Sequence, residues 1–72
     1  MERISLKIEG QFIKLDSLLK LSGLIDSGGL AKELIQDGQV LVNDQVCLQR
    51  GKKIRPEDRV VFDQYLIEVE GD

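Results

Sequence analysis

The stretch that decides the fold is S-G-G-L-A-K-E-L-I-Q-D-G-Q-V-L-V-N-D-Q-V-C-L-Q-R-G-K-K, residues 27–53. It predicts a helix that begins at Ser27, carries apolar residues at helical spacing and ends at Gly38. Two short strands follow, joined by a tight turn at Asn43-Asp44, because both residue types tolerate positive φ. A loop with three basic residues, Gln49 to Lys53, closes the stretch. The segment therefore combines a helix start, whose backbone N–H groups are unpaired, with a cluster of cations.

The residues before this stretch predict one strand and one helix. Arg3 to Glu9 alternates apolar and polar side chains, which is typical of a half-buried strand. A first helix is expected from Leu15 to Ser22, with Asp16 and Ser17 near its start to satisfy free N–H groups. Gly23 ends it, since glycine takes positive φ at little cost.

The residues after it predict two more strands. Pro56-Glu57-Asp58 is a turn, and the strands Val60–Phe62 and Tyr65–Val69 are joined by a second tight turn at Asp63-Gln64. The fold class is therefore α+β: a leading strand, a two-helix corner, and then a small mixed or antiparallel sheet of short strands. We expect the 72 residues to form a single domain, residues 1–72.

Composition narrows the class of protein. Cys47 is the only cysteine, so no disulfide framework exists, and a reducing, cytoplasmic setting is expected. Glu2 and Arg3 follow Met1 without an apolar signal core, and no apolar run approaches the roughly 20 residues that cross a bilayer. The sequence therefore predicts an ordinary globular protein that does not act at a membrane.

The net charge of −3 conceals an uneven distribution. Residues 1–55 hold nine of the ten Lys and Arg and seven of the thirteen acids, a net charge of +2. Residues 56–72 hold one Arg and six acids, a net charge of −5. Because the local field decides where an anion binds, the overall negative charge does not exclude nucleic acid. A solvated loop is the plain alternative for the basic run that includes Arg50, Lys52 and Lys53.

Catalysis is not expected. The chain has no histidine, the commonest general base, and its acids are dispersed rather than set at metal-ligand spacing. Cys47 lies between Val46 and Leu48 on a predicted strand and is interpreted as a small apolar side chain. We therefore expect no enzymatic activity, no metal, no cofactor and no small-molecule substrate.

Anion binding is better supported. The Ser27-Gly28-Gly29 helix start offers free N–H groups and room for a phosphate, although a cap at a tight corner is the structural alternative. Lys32 lies off the apolar stripe of the same helix and should be exposed. Phe12 and Phe62 are expected to pack in the core rather than to stack on bases.

Three segments together resemble a known family. L-D-S-L-L-K-L, S-G-G-L-A-K-E-L-I-Q-D-G-Q-V-L-V-N-D and P-E-D-R-V-V-F are similar to the alpha-L RNA-binding motif, the domain named after ribosomal protein S-four. The resemblance covers about residues 12–62 and is strongest to the small standalone bacterial proteins of the YaaA and YbcJ types. It implies binding of structured or ribosomal RNA through phosphate contacts, with the ribosome or another protein as a further candidate partner.

The resemblance also implies which residues contact RNA. Gly28 stands where the family commonly has an arginine, so this helix start would offer backbone groups rather than a charged side chain. The predicted RNA-binding residues are Lys14, Lys20, Ser27, Gly28, Gly29, Lys32, Arg50, Lys52 and Lys53. The alternative function is a protein-interaction module that docks through the acidic C-terminal strand.

Overall fold

The computed structural model describes residues 1–71, in which two short helices are embedded among seven short strands. The helices are α1 (Leu15–Leu21) and α2 (Gly28–Gln36). The strands are β1 (Glu2–Lys7), β2 (Ile13–Lys14), β3 (Val40–Val42), β4 (Gln45–Val46), β5 (Lys53–Ile54), β6 (Arg59–Phe62) and β7 (Tyr65–Glu70). The predicted α+β class is confirmed.

Five of the strands form one mixed sheet in the order β1-β7-β6-β3-β4. β1 runs parallel to β7, with Ile4 opposite Ile67, and the other neighbours are antiparallel. The first strand therefore lies beside the last, and both helices fall in the connection between them. β1 spans Glu2–Lys7 rather than the predicted Arg3 to Glu9, and its contact with β7 ends where the Ile8 N–H donates to the Glu70 carbonyl at 2.9 Å.

The core lies between one face of this sheet and the two helices. Alternation along β7 turns Ile67 and Val69 inward, where both are buried. They belong to one buried cluster with residues of the helices, namely Leu15, Leu18, Leu19, Ala31 and Ile35. Cys47 and Phe62 are partly buried against this cluster, which confirms their interpretation as packing residues. Phe12 is exposed, so its expected place in the core is wrong.

The predicted turns and helix ends are largely confirmed. Asn43 and Asp44 have φ of 50° and 70°, and Glu57 and Asp63 also adopt positive φ. Gly23 and Gly38 follow α1 and α2 with φ of 80° and 78°, the left-handed conformation that glycine favours after a helix. Neither helix within residues 1–71 is long and apolar enough to span a membrane.

The two helices begin differently. Ser27 caps α2 as predicted, since its hydroxyl accepts a hydrogen bond from the Leu30 N–H at 3.1 Å. α1 has Lys14 at its N-cap position, without a side-chain cap. Asp16 accepts from the Ser17 N–H at 2.8 Å, so the expected help from the acid is confirmed. The remaining N–H groups at this helix start are satisfied from a distant part of the chain.

Candidate nucleic-acid interface

The smallest sheet of the molecule brings two lysines face to face. β2 and β5 form a two-stranded antiparallel ladder in which Ile13 lies opposite Ile54 and Lys14 lies opposite Lys53. Ile54 is fully buried and anchors the ladder to the core, whereas both lysines are exposed. The sequence indicated a loop from Gln49 to Lys53, and this is wrong at Lys53, which begins β5.

Residues directly opposite on antiparallel strands have Cβ atoms about 4.5–5.5 Å apart, and like charges in that position are destabilising. Lys14 and Lys53 occupy such a pair. Within residues 1–71, neither lysine forms a salt bridge within 4.0 Å. An anion placed between the two ammonium groups would relieve their repulsion, so this pair is suited to a phosphate.

The basic loop is also held against the start of α1. The Leu15 N–H donates to the Lys52 carbonyl at 2.9 Å, and the Asp16 N–H donates to the Arg50 carbonyl at 3.1 Å. These carbonyls take the place of the missing side-chain cap. As a result, four of the predicted RNA-binding residues gather around the first turn of α1. We call this set the basic cluster: Lys14, Arg50, Lys52 and Lys53.

Two carboxylates lie near the basic cluster, Asp16 in the first turn of α1 and Asp58. Burial alone would raise the pKa of Asp58, but hydrogen bonds from the Arg55 N–H and the Asn43 amide outweigh it, and the charges of Lys52 and Arg55 act the same way. The pKa of Asp58 is therefore held below its ordinary value of 3.8. This carboxylate is committed to internal hydrogen bonds, at 2.8 Å from the Arg55 N–H and 3.0 Å from the Asn43 side chain.

The start of α2 provides the second predicted part of the interface. Leu30 N–H is taken by the Ser27 cap, and the Ala31 N–H by the Ser27 carbonyl at 3.1 Å. A Cβ built on Gly28 or Gly29 would meet no heavy atom within 4 Å, so their backbone is open to a ligand. The first turn of α2 contains no acidic residue that would repel an anion.

Lys20 and Lys32 lie outside the basic cluster. Lys20 lies in the last turn of α1, about 9 Å along the axis from the N-cap, and Lys32 lies on α2. Both are exposed, which the sequence predicted for Lys32. The hydrogen bonds and strand pairs that assemble the basic cluster do not include these two residues. Their participation, like that of Ser27, Gly28 and Gly29, stays a prediction.

The acidic residues of the last strand lie on the far side of the sheet. Ile67 and Val69 face the helices, so Glu68 and Glu70 alternate onto the opposite face. Glu68 is 3.4 Å from the Arg3 guanidinium and is cross-strand from Arg59. Asp72 lies outside the described residues. In residues 1–71, no group of three or more His, Cys, Asp or Glu could hold a metal ion.

An open groove of about 430 Å³ borders the basic cluster. It runs between the β3–β4 hairpin and Lys52, with Val46, Cys47 and Leu48 among its lining residues. The Cys47 thiol is 3.6 Å from the Gln49 carbonyl, which it can contact as a weak donor. Val46 and Leu48 are exposed, so this side of the basic cluster presents apolar surface.

Comparison with known proteins identifies the family of this chain. Residues 6–70 match the family model of the S4 domain. The chain belongs to the S4 domain family. The resemblance recognised in the sequence is thereby confirmed, and the match extends beyond the predicted 12–62 to include the last two residues of β1 and all of β7.

Two relatives of this S4 domain cover nearly its full length. It is 36% identical over 66 residues to the probable ribosome maturation protein RlbA of Bacillus subtilis, covering 92% of this chain and 83% of RlbA. It is also similar to the solution structure of YbcJ from E. coli, with a TM-score of 0.65 and 34% identity over 97% of this chain and 87% of YbcJ. YbcJ is described as having an αL motif involved in RNA binding.

Proposed function

We propose that this S4 domain is a non-catalytic RNA-binding protein of the cytoplasm that holds the phosphate backbone of structured RNA against its helical face. The basic cluster supplies the primary contacts, and the start of α2 with Lys20 and Lys32 supplies further ones. Membership of the S4 domain family supports RNA as the ligand. The similarity to YbcJ, whose αL motif is described as involved in RNA binding, supports the same assignment.

The observation that carries the proposal is the direct cross-strand pairing of Lys14 with Lys53. A protein selected for stability alone would favour opposite charges at such a pair. Two carbonyls of the basic loop also tie Arg50 and Lys52 beside these lysines, at 3.1 and 2.9 Å from the backbone of α1. The backbone thus concentrates positive charge on one side of a protein whose net charge is −3.

The structure separates the basic cluster from the acids of β7. Glu68 and Glu70 lie on the sheet face that points away from the helices, so they do not line the proposed interface. A polyanion that approaches the first turn of α1 would meet the basic cluster together with the half-buried Asp16. Since RlbA is named as a probable ribosome maturation protein, we propose ribosomal RNA as the target and the ribosome or its precursors as the setting.

Salt titration tests the proposal directly. Each neutralised phosphate releases counterions, so engagement of about four to six phosphates gives a slope of log affinity against log salt of roughly −3 to −5. Fluorescence anisotropy with a labelled ribosomal RNA hairpin measures this slope. Absence of binding at low salt, or binding without a salt dependence, would contradict the proposal.

A charge-reversal pair locates the interface. Lys52→Glu with Lys53→Glu should leave folding intact and weaken RNA binding strongly. The control is Arg3→Glu with Lys7→Glu, which changes the net charge equally on the exposed positions of β1. Because Arg3 pairs with Glu68 and Lys7 lies opposite Glu70, urea titration of both double variants checks that they remain folded. If only the net charge of the protein mattered, both double variants would lose RNA affinity equally. Unchanged affinity after the Lys52 and Lys53 changes would remove the basic loop from the interface.

Docking of a protein through the acidic strand is the rival function. Both edges of β7 are already paired, with β1 on one side and β6 on the other, so a partner could not add a strand there. Only the outer face, with Glu68 and Glu70, is available to such a partner. Co-purification of a protein that survives ribonuclease and is lost in the Glu68→Gln, Glu70→Gln variant would favour this rival.

A further inference from the structure

Phe12 is an exposed aromatic side chain within reach of the basic cluster. It is 38% exposed, and the Lys53 ammonium lies 4.9 Å from the centroid of its ring. The other two aromatic residues, Phe62 and Tyr65, are half-buried. Phe12 is therefore the one exposed aromatic ring among residues 1–71, and a lysine of the predicted interface covers it.

The local sequence explains this position. Phe12, Ile13 and Lys14 alternate outward, inward and outward, since Ile13 is half-buried and its neighbours are exposed. Phe12 and Lys14 therefore share the outer face of the β2–β5 ladder. Lys53 projects onto that same face, because it is the cross-strand partner of Lys14. The ladder presents an aromatic ring with the Lys53 ammonium over it and Lys14 on the same face.

We propose that the Phe12 ring is a stacking platform for an unpaired RNA base, and that Lys53 covers the ring until a phosphate draws its ammonium away. The proposal rests on the proposed RNA-binding function and narrows its ligand to RNA with an unstacked nucleotide. In the free protein, Lys53 shields apolar surface from water. In the complex, Lys53 contacts the backbone and the base replaces it over the ring.

The strengths of the two contacts favour replacement of the Lys53 ammonium by a base over the Phe12 ring. A lysine over a phenylalanine at an exposed site strengthens an interaction by about 2- to 5-fold. Removal of an aromatic platform weakens nucleic-acid binding by about 5- to 150-fold per stacked base. Lys53 in addition gains a phosphate partner when it leaves the ring, and its repulsion from Lys14 is relieved. The base is therefore the preferred occupant once RNA is present.

The charges beside the ring favour RNA over a protein as the occupant. An apolar side chain from a protein would cover Phe12 but leave Lys14 and Lys53 directly opposed. A nucleotide supplies both required groups, a π-face for the ring and a phosphate for the lysines. Unpaired nucleotides of loops and bulges are the ones whose bases are free to stack on protein aromatics.

Two RNA hairpins of equal length test the proposal, one fully paired and one with a single bulged 2-aminopurine. The wild-type protein should bind the bulged hairpin at least 5-fold more tightly and quench its fluorescence as the base stacks on the ring. Phe12→Leu keeps an apolar side chain but removes the platform. It should abolish the preference and the quenching, while binding to the paired hairpin changes by less than about 2-fold.

Phe62→Leu is the matched control, because it removes a half-buried phenylalanine that packs against the core and should retain the preference. Wild-type NMR provides a readout without mutation: the Lys53 ε-protons should lose their ring-current shift when the bulged hairpin binds. A persistent shift, or equal binding of the two hairpins, would overturn this proposal alone. Failure to bind either hairpin would overturn the proposed function as well.

Discussion

The side-chain amide of Asn43 donates a hydrogen bond to the Asp58 carboxylate at 3.0 Å, across 15 residues of sequence. The side-chain Oδ1 of Asn43 accepts from the Arg59 N–H at 3.0 Å, and the backbone N–H of Asn43 donates to the Arg59 backbone carbonyl at 2.8 Å. Asp58 also accepts from the Arg55 N–H at 2.8 Å. These bonds join the β3–β4 turn to the turn at Pro56, so Asn43 and Asp58 act as structural residues that hold the basic loop between fixed ends.

Replacement of Asn43 should therefore destabilise the fold. Asn43→Ala removes two side-chain hydrogen bonds, each contributing about 0.5–1.5 kcal/mol. It also leaves alanine at φ 50°, a left-handed conformation that the Cβ disfavours and that no side-chain hydrogen bond then stabilises. We expect a loss of about 2 kcal/mol in the free energy of unfolding, measured by urea titration. Asn43→Gly loses the same bonds but tolerates the backbone, so it should lose about half as much. Equal losses in the two variants would show that backbone conformation contributes nothing.

The free energy of unfolding should fall at low pH because Asp58 becomes protonated. Its folded pKa is depressed below 3.8, so its contribution is present above that value and is lost as pH falls through the folded pKa. The free energy of unfolding should decrease from about pH 4 downward, and Asp58→Asn should flatten this part of the profile. Asp63→Asn, at an exposed turn, controls for the loss of a carboxylate. Parallel profiles for wild type and Asp58→Asn between pH 2 and 5 would contradict the prediction.

Turns and helix ends were predictable because their signals are local. The Ser27 hydroxyl accepts a hydrogen bond from the N–H of Leu30, three residues later in the chain. Gly23 and Gly38 need only the conformational freedom of their own backbone. The parallel pairing of β1 with β7 was not predictable from periodicity, because each strand alternates in the same way whichever neighbour it has. The family resemblance did not supply this pairing, since it covered about residues 12–62 and neither strand lies in that range.

The basic residues of the proposed interface could be found in the sequence, but their arrangement could not. The ladder of β2 with β5 is only two residues long on each side, which is too short to show a period of two. Without that ladder, nothing places Lys14 opposite Lys53. The error on Phe12 has the same origin, because its outward direction follows from the ladder and a phenylalanine alone favours the core.

Substitution of the α2 cap tests whether this helix start binds phosphate. Aspartate and asparagine are both good N-caps, so Ser27→Asp and Ser27→Asn should each retain the stability of the fold within about 0.5 kcal/mol. Only Ser27→Asp adds a negative charge beside the open backbone of Gly28 and Gly29. It should weaken RNA binding in the anisotropy assay, while Ser27→Asn should not. Equal affinities of the two variants would remove the start of α2 from the interface.

Charge reversal at Lys14 should separate stability from function. Lys14→Glu converts a like-charge pair with Lys53 into an opposite-charge pair, and places an acid at the N-cap of α1. Each change stabilises by about 0.3–1 kcal/mol, so the free energy of unfolding should rise by about 1 kcal/mol at low salt. RNA affinity should fall, with the salt slope less steep by about 1, because a phosphate contact is lost.

Lys14→Gln provides the intermediate case, since it removes the repulsion without adding an attraction or an acid. Its stability should lie between those of wild type and Lys14→Glu, and its salt slope should already be reduced by about 1. The gain in stability should shrink as salt screens the exposed pair with Lys53. Urea titration at two salt concentrations and anisotropy on the same samples measure both quantities. A Lys14→Glu protein that is less stable than wild type, or that binds RNA as tightly, would show that Lys14 and Lys53 are not a pair maintained for an anion.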